Sequence, residues 1–391
     1  MLSVVNLEEY GVYVFKYDKT YTTKPTQTDP EFFYYGEIPQ KKTKKATLIS
    51  NLVERSCSPA QSPLDSPSAP RRKDFLSKQI VSVTNISKKD VEALSEELLT
   101  IYAMSKEPEC RNEKYNGIKF KRKETGFRYS YLLHGNNIFV HLHNFKNRGN
   151  FKSAKNALMI QLPSCKVEEI IHKKIRSQTK LGEKEANLQS QLSHRSIPKI
   201  YAVHKYTNTQ ESRVSVYEQK CEQTGETMFL NDELSEFDQK VQFFHEIARG
   251  VSYLHFRGLC HNDLKLDNIM IRNGKGMLID FGLTTQAGAN PFNSCPWTCA
   301  PERQHPRAPV SFASDIYQFG LMLAQAFIPD ARPLISVKNP TLIPSIEKVL
   351  FNWLPAPEKE NKMKRLIDAC LSANPQERPT IEDINSVLRN L

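Results

Sequence analysis

The sequence predicts an α+β chain, and three observations predict it. Residues 128–218 are strand-rich and residues 222–391 helix-rich, so strands and helices fall in successive blocks and do not alternate. The 391 residues are 39% hydrophobic and 25% charged, the balance of a folded globular chain and too apolar for a wholly disordered one. No run approaches 18 uncharged apolar residues, so no transmembrane segment is expected.

In chain order, residues 1–36 form an aromatic-rich segment (Tyr10, Tyr13, Phe15, Tyr17, Phe32, Phe33) with strand-like Val12 and Val14. Its first residues lack the basic-then-apolar layout of a secretory signal and soon meet Glu8 and Glu9. Residues 37–86 read as a basic, Ser/Pro-rich flexible linker, with Lys41-Lys42-Thr43-Lys44-Lys45 leading into Ser58-Pro59, Ser62-Pro63 and Ser66-Pro67. Net charge is +11, and residues 41–90 carry 11 Lys/Arg against 4 Asp/Glu, hence +7. Such a run is usually a solvated tail; its functional reading is a salt-sensitive hold on an acidic partner, a nucleic acid or an anionic membrane. Residues 87–127 are a helical segment and connector. Ser87 and Asp90 form a capping box, and Val91, Leu94, Leu98, Ile101 and Tyr102 make one apolar stripe. Two apolar runs then flank His134-Gly135-Asn136-Asn137, which reads as a β-hairpin. Eight cysteines are scattered without a C-x-x-C pair, so reduced thiols in a cytosol-like compartment are expected.

The chemistry is written in His261-Asn262-Asp263-Leu264-Lys265-Leu266-Asp267-Asn268, followed by Asp280-Phe281-Gly282. Asp263, Asn268 and Asp280 are oxygen donors that suit a hard cation such as Mg²⁺, and Lys265 adds a positive charge two residues from Asp263. Phosphoryl transfer needs such a set, because its charge is spread over phosphate oxygens and catalysis is mostly positioning and neutralisation.

These runs resemble the catalytic loop and metal-binding motif of the eukaryotic-type, serine/threonine-like protein kinases. Further motifs follow in order: Ala300-Pro301-Glu302, Ser314-Asp315-Ile316-Tyr317-Gln318-Phe319-Gly320, and Arg378, matching the Arg that pairs with Glu302. The likeness covers residues 128–391 and implies a bilobal kinase fold: a β-rich N-lobe over 128–218 and a helical C-lobe over 222–391. It implies Asp263 as the base, Lys265 beside the transferring phosphate, and Asn268 and Asp280 on Mg²⁺, with ATP as phosphate donor and a protein as substrate.

The N-lobe departs from the family pattern. Asn147-Arg148-Gly149-Asn150-Phe151-Lys152-Ser153-Ala154 stands for the glycine-rich loop, and only Gly149 survives. The expected V-A-I-K strand aligns with Leu158-Met159-Ile160-Gln161, which puts Gln161 in the lysine's place. Glu185, with Leu188, Leu192, His194 and Ile197 after it, matches the helix Glu that the lysine should meet. Gly149-Asn150-Phe151-Lys152 resembles the with-no-lysine kinases, which makes Lys152 the expected phosphate clamp, with Lys166 the rival. The hinge is expected around Glu218 and Lys220, with Tyr217 as a bulky gate and Met159 and Tyr217 narrowing the adenine pocket. Asn262 replaces the Arg that normally binds an activation-segment phosphate, Cys295 replaces the usual Thr, and Gln189 takes an apolar helix position. The alternative is a pseudokinase, a nucleotide-binding or scaffold module without turnover. The reduced loop and irregular extension are similar to kinase-like effectors of intracellular bacteria and to kinases of large DNA viruses. The expected location is cytoplasmic, the host cytoplasm for a secreted effector.

Overall fold

The structure is a computed structural model, and it describes residues 69–106, 117–142, 147–148, 152–176, 180–207, 212–289, 299–304, 308–328, 331 and 358–391. The aromatic segment 1–36 and the Ser-Pro run lie outside the described residues. Among the described residues no helix is long and apolar enough to cross a membrane.

Part of the expected linker is folded. Ala69–Val83 forms helix α1, and Lys88–Met104 forms α2. The Ser87 hydroxyl accepts from the Asp90 amide at 3.2 Å, so α2 starts where the capping signal places it. Val91, Leu94, Leu98 and Ile101 are buried. Leu76 and Ile80 of α1 are buried against them, and Arg72 lies 4.7 Å from the centre of the Tyr102 ring. Lys73 pairs with Glu96 at 2.5 Å, so part of the basic run is used internally. The linker reading fails here because a two-residue apolar stripe, weak alone, becomes a buried face once α2 supplies the other half.

Strands β1 (Ile118–Phe120), β2 (Ser130–His134), β3 (Asn137–His141), β4 (Asn147–Arg148), β5 (Lys152–Gln161) and β6 (Lys166–Arg176) follow, with a one-turn helix α3 (Arg122–Thr125) after β1. Then come α4 (Lys180–Ser190), β7 (Ile200–Thr207) and β8 (Ser212–Gln219). The sheet order is β1-β2-β3-β5-β6-β8-β7, with β4 on β5, and neighbours are antiparallel. The predicted hairpin is β2–β3, turning at Gly135 with φ +57°. The N-lobe therefore begins well before residue 128.

Side chains alternate across the sheet, so register decides which face each residue meets. On one face Leu158, Ile160 and Val167 pack under α1 and α2. On that same face Ile175, Val214 and Val216 pack against Ala186 of α4. The opposite face carries Phe139, Met159, Ile170 and Tyr217. Helices α1 and α2 are thus part of the N-lobe core. Leu76→Ala should cost about 2–5 kcal/mol. A denaturant midpoint equal to wild type would show that α1 is not part of that core.

The C-lobe contains α5 (Gly225–Leu230), α6 (Phe237–Phe256), β9 (Leu259–Cys260), β10 (Ile269–Arg272), β11 (Lys275–Leu278), β12 (Thr285–Gln286), α7 (Phe312–Phe327), α8 (Glu358–Cys370) and α9 (Ile381–Arg389). Helix α7 starts at a Ser311–Ser314 capping box and is buried almost all round, as its apolar composition requires. A Cβ on Gly320 would lie 2.7 Å from Cys370 Cβ, so glycine is what lets α7 and α8 touch.

Candidate active site

The loop of residues 261–268 hangs from α7. The Asp315 carboxylate, fully buried, accepts from the His261 amide at 2.7 Å and the Asn262 amide at 2.8 Å, and contacts His255 Nε2 at 3.0 Å. One turn along, Gln318 accepts from the Leu264 amide at 3.0 Å and donates to the Asn262 carbonyl at 3.2 Å. The backbone from His261 to Leu264 is therefore fixed by two side chains of one helix. His261 Nε2 donates to the Ile279 carbonyl at 3.1 Å, while its Nδ1 accepts from the Asp263 amide at 3.3 Å. Its ring centre lies 5.4 Å from that of Phe281, so His261 and Phe281 are packing and bracing groups.

Within that frame the Lys265 ammonium meets both Asp263 oxygens, at 2.8 and 2.9 Å. Asn268 Nδ2 donates to Asp263 Oδ2 at 2.6 Å and to the Asp263 carbonyl at 2.8 Å. The amide oxygen of Asn268 is left as its acceptor. Asp280 adopts the left-handed conformation, φ +63°, which turns the chain at the start of the next motif. A Cβ on Gly282 would lie 3.2 Å from Asp280 Oδ1 and 3.8 Å from Glu185 Oε2, so any other side chain there would crowd Asp280 and touch Glu185. Further on, Arg378 forks onto Glu302 at 2.7 and 2.8 Å and donates to the Ser372 and Ala313 carbonyls, so the pair expected from the sequence is made.

The N-lobe half corrects the sequence reading. Strand β5 runs unbroken from Lys152 to Gln161, so the loop's Ala154 and the supposed V-A-I-K run share one strand. Gln161 pairs with Asn137 and Lys166 at the turn end of the β5–β6 hairpin. Both are seven residues of β6 away from Lys173, roughly 20 Å at strand rise. Neither Gln161 nor Lys166 is in the cleft. The side chain of Lys152, and Gly149 with it, lie outside the described residues. The strand that follows β5 is β6, and Ile170-Ile171-His172-Lys173 on it takes the V-A-I-K form. Lys173 is opposite Ala154 on one side and Val216 on the other. Its ammonium contacts Glu218 Oε1. Burial draws that ammonium down, but the carboxylates of Glu218, Glu185 and Asp280 outweigh it, and its pKa ends above the usual lysine value. Lys173 is the residue at this place that the sequence reading does not reach; its signal is Ile170-Ile171 ahead of a Lys that stands 12 residues before Glu185.

The gate is corrected by the same register. Tyr217 pairs with His172 and so faces away from Lys173. Its ring stacks on His172 at 4.6 Å, its hydroxyl meets His141 Nε2 at 2.6 Å, and Met159 shares that core. Glu218, opposite Ile171, is the side chain on the Lys173 face. Lys220 is held by Glu169 at 2.6 Å. Glu185 of α4 is buried, and Gln189 is buried with its amide on the Pro198 carbonyl at 3.4 Å. Burial pushes the Cys221 thiol, next along the hinge, up to about 12, so it stays protonated. Cys295 and the segment around it lie outside the described residues.

Comparison with known proteins agrees with this geometry. Residues 152–387 match the family described as protein kinase domain. Serine/threonine-protein kinase A-Raf from Mus musculus, Rattus norvegicus and Sus scrofa are each 29% identical to this chain over 198 residues, covering 45% of it and 32% of the relative. The chain thus spans about a third of the length of these curated relatives. With the family match covering more than half of the 391 residues, the chain belongs to the protein kinase domain family.

Proposed function

We propose that the chain is an active kinase that transfers the γ-phosphate of ATP to a Ser or Thr hydroxyl of a protein substrate. The observation that carries this reading is the placing of Lys173, in contact with Glu218, within the field of carboxylates from both lobes, Glu185 from one and Asp280 from the other. In the same reading Asp263 orients the acceptor hydroxyl and takes its proton, held for that task by Lys265 and Asn268. Lys173 grips nucleotide phosphates, and Lys265 neutralises the transferring group.

The donor set fits Mg²⁺. Asn268 and Asp280 offer oxygens, and three carboxylates around one ammonium leave excess negative charge at the cleft. Mg²⁺ there would neutralise charge on the phosphate oxygens. Among the described residues the thiols of Cys165, Cys221, Cys260 and Cys370 are buried, which fits work in a cytosol-like compartment.

The pseudokinase alternative draws on the glycine-poor loop and on Lys173 already having a carboxylate partner. Mg²⁺-dependent transfer of γ-phosphate by the purified chain separates the two: transfer supports the kinase, and nucleotide binding without transfer supports the pseudokinase.

Asn262 bears on regulation. Its amide donates to the Leu283 carbonyl at 3.0 Å, and Thr284 Oγ1 donates to the His261 carbonyl at 3.4 Å. The loop and the start of the activation segment are thus joined by neutral hydrogen bonds without a phosphate. Phosphatase-treated protein is expected to transfer phosphate as fast as untreated protein. Activity that appears only after phosphorylation would contradict this role for Asn262.

A further inference from the structure

The contact between Lys173 and Glu218 also points to a property of this chain's own cleft. Glu218 is the second-last residue of β8 and is 5% exposed. The pairings Lys173–Val216 and Ile171–Glu218 set the two side chains diagonally on adjacent strands of one sheet. The Lys173 and Glu218 side chains are 21% and 7% exposed, so the pair is largely withdrawn from water. Because both partners belong to the sheet, their contact needs no movement of α4.

The two members are not equivalent. Lys173 also lies in the field of Glu185 and Asp280, so its charge stays compensated if it turns away. Glu218 has Lys173 as its ion-pair partner among the described residues. A carboxylate buried this far and left unpaired is costly. Nucleotide phosphates that draw on Lys173 therefore work against Glu218.

Resting on the nucleotide-binding reading above, we propose that Glu218 competes with the phosphates of a bound nucleotide for Lys173 and so weakens nucleotide affinity. The carboxylate holds the ammonium at the back of the cleft in the empty protein. A nucleotide must exchange one charge-assisted contact for another, and a ligand without phosphates does not meet this competition.

The test uses the full chain, titrated calorimetrically with ADP and with adenosine at constant Mg²⁺. Glu218→Gln keeps the shape and removes the charge, and Glu218→Thr removes the carboxylate with a different shape. Two unlike replacements, each checked by thermal unfolding, guard against loss of fold in one. Both variants should bind ADP about tenfold tighter, roughly the value of one charge-assisted hydrogen bond no longer lost, and bind adenosine as wild type does. The gain should vanish when Lys173→Gln is added, because the competition then has no object. Unchanged or weaker ADP binding overturns the proposal. So does an equal gain for adenosine, which would mean that the carboxylate acts on the base. Wild-type protein that binds neither ligand would instead overturn the nucleotide reading itself, a result visible before any variant is made.

Discussion

Lys173→Met is expected to lower phosphoryl transfer about 10²–10³-fold, the usual loss when one preorganised charge donor is removed from developing phosphate charge. The expectation rests on register. Lys173 shares its face of the sheet with Ala154 and Val216 and lies in the field of Glu185 and Asp280. Methionine keeps the length of the stem and removes the ammonium. The variant also strands Glu218, so a loss of stability accompanies the loss of rate, and the two are separated by measuring rates below the variant's unfolding transition. Gln161→Ala and Lys166→Ala are the controls. Both residues are at the turn end of the β5–β6 hairpin, and neither change should alter the rate by more than the scatter of the assay. If Lys166→Ala abolishes transfer and Lys173→Met does not, the clamp belongs on the other end of β6.

Asp263→Asn should lower transfer about 10²–10⁴-fold while leaving nucleotide binding intact. The change keeps the side chain's shape between Lys265 and Asn268 and removes its capacity to take a proton. Single-turnover rates with ATP, alongside ADP titration, separate chemistry from binding. Loss of ADP binding equal to the loss of rate would show that Asp263 braces the loop and does no proton work. The buried frame from Asp315 and Gln318 makes that outcome testable, because it fixes the loop's backbone whether or not residue 263 is charged.

The C-lobe half of the site was legible in the sequence for a physical reason. Asp263, Lys265 and Asn268 lie on one tight loop and touch one another, so their spacing along the chain is nearly their spacing in space. The distant pair Glu302–Arg378 was legible because each member sits inside its own motif. The N-lobe half was not. Its roles are distributed over strands, and a strand's sequence does not say where a neighbouring strand begins. Reading β5 as two strands puts the V-A-I-K run at Gln161, whereas the strand that follows β5 carries Lys173. A one-residue change of parity puts Tyr217 in the cleft, whereas the pairing of Glu218 with Ile171 turns Glu218 to the Lys173 face. Helix α1 was missed for a related reason: Leu76 and Ile80 mark a buried face only when α2 and the sheet are there to receive them.

In the proposed function Lys173 is the ammonium beside the nucleotide's phosphates. An ATP derivative carrying an acyl group on its terminal phosphate tests it most directly, since the mixed anhydride acylates an amine next to the bound phosphates. Peptide mass spectrometry of the labelled protein should find the acyl group on Lys173, and excess MgATP should prevent it. Labelling of Lys152 or Lys166 that MgATP suppresses, with Lys173 untouched, would contradict the account.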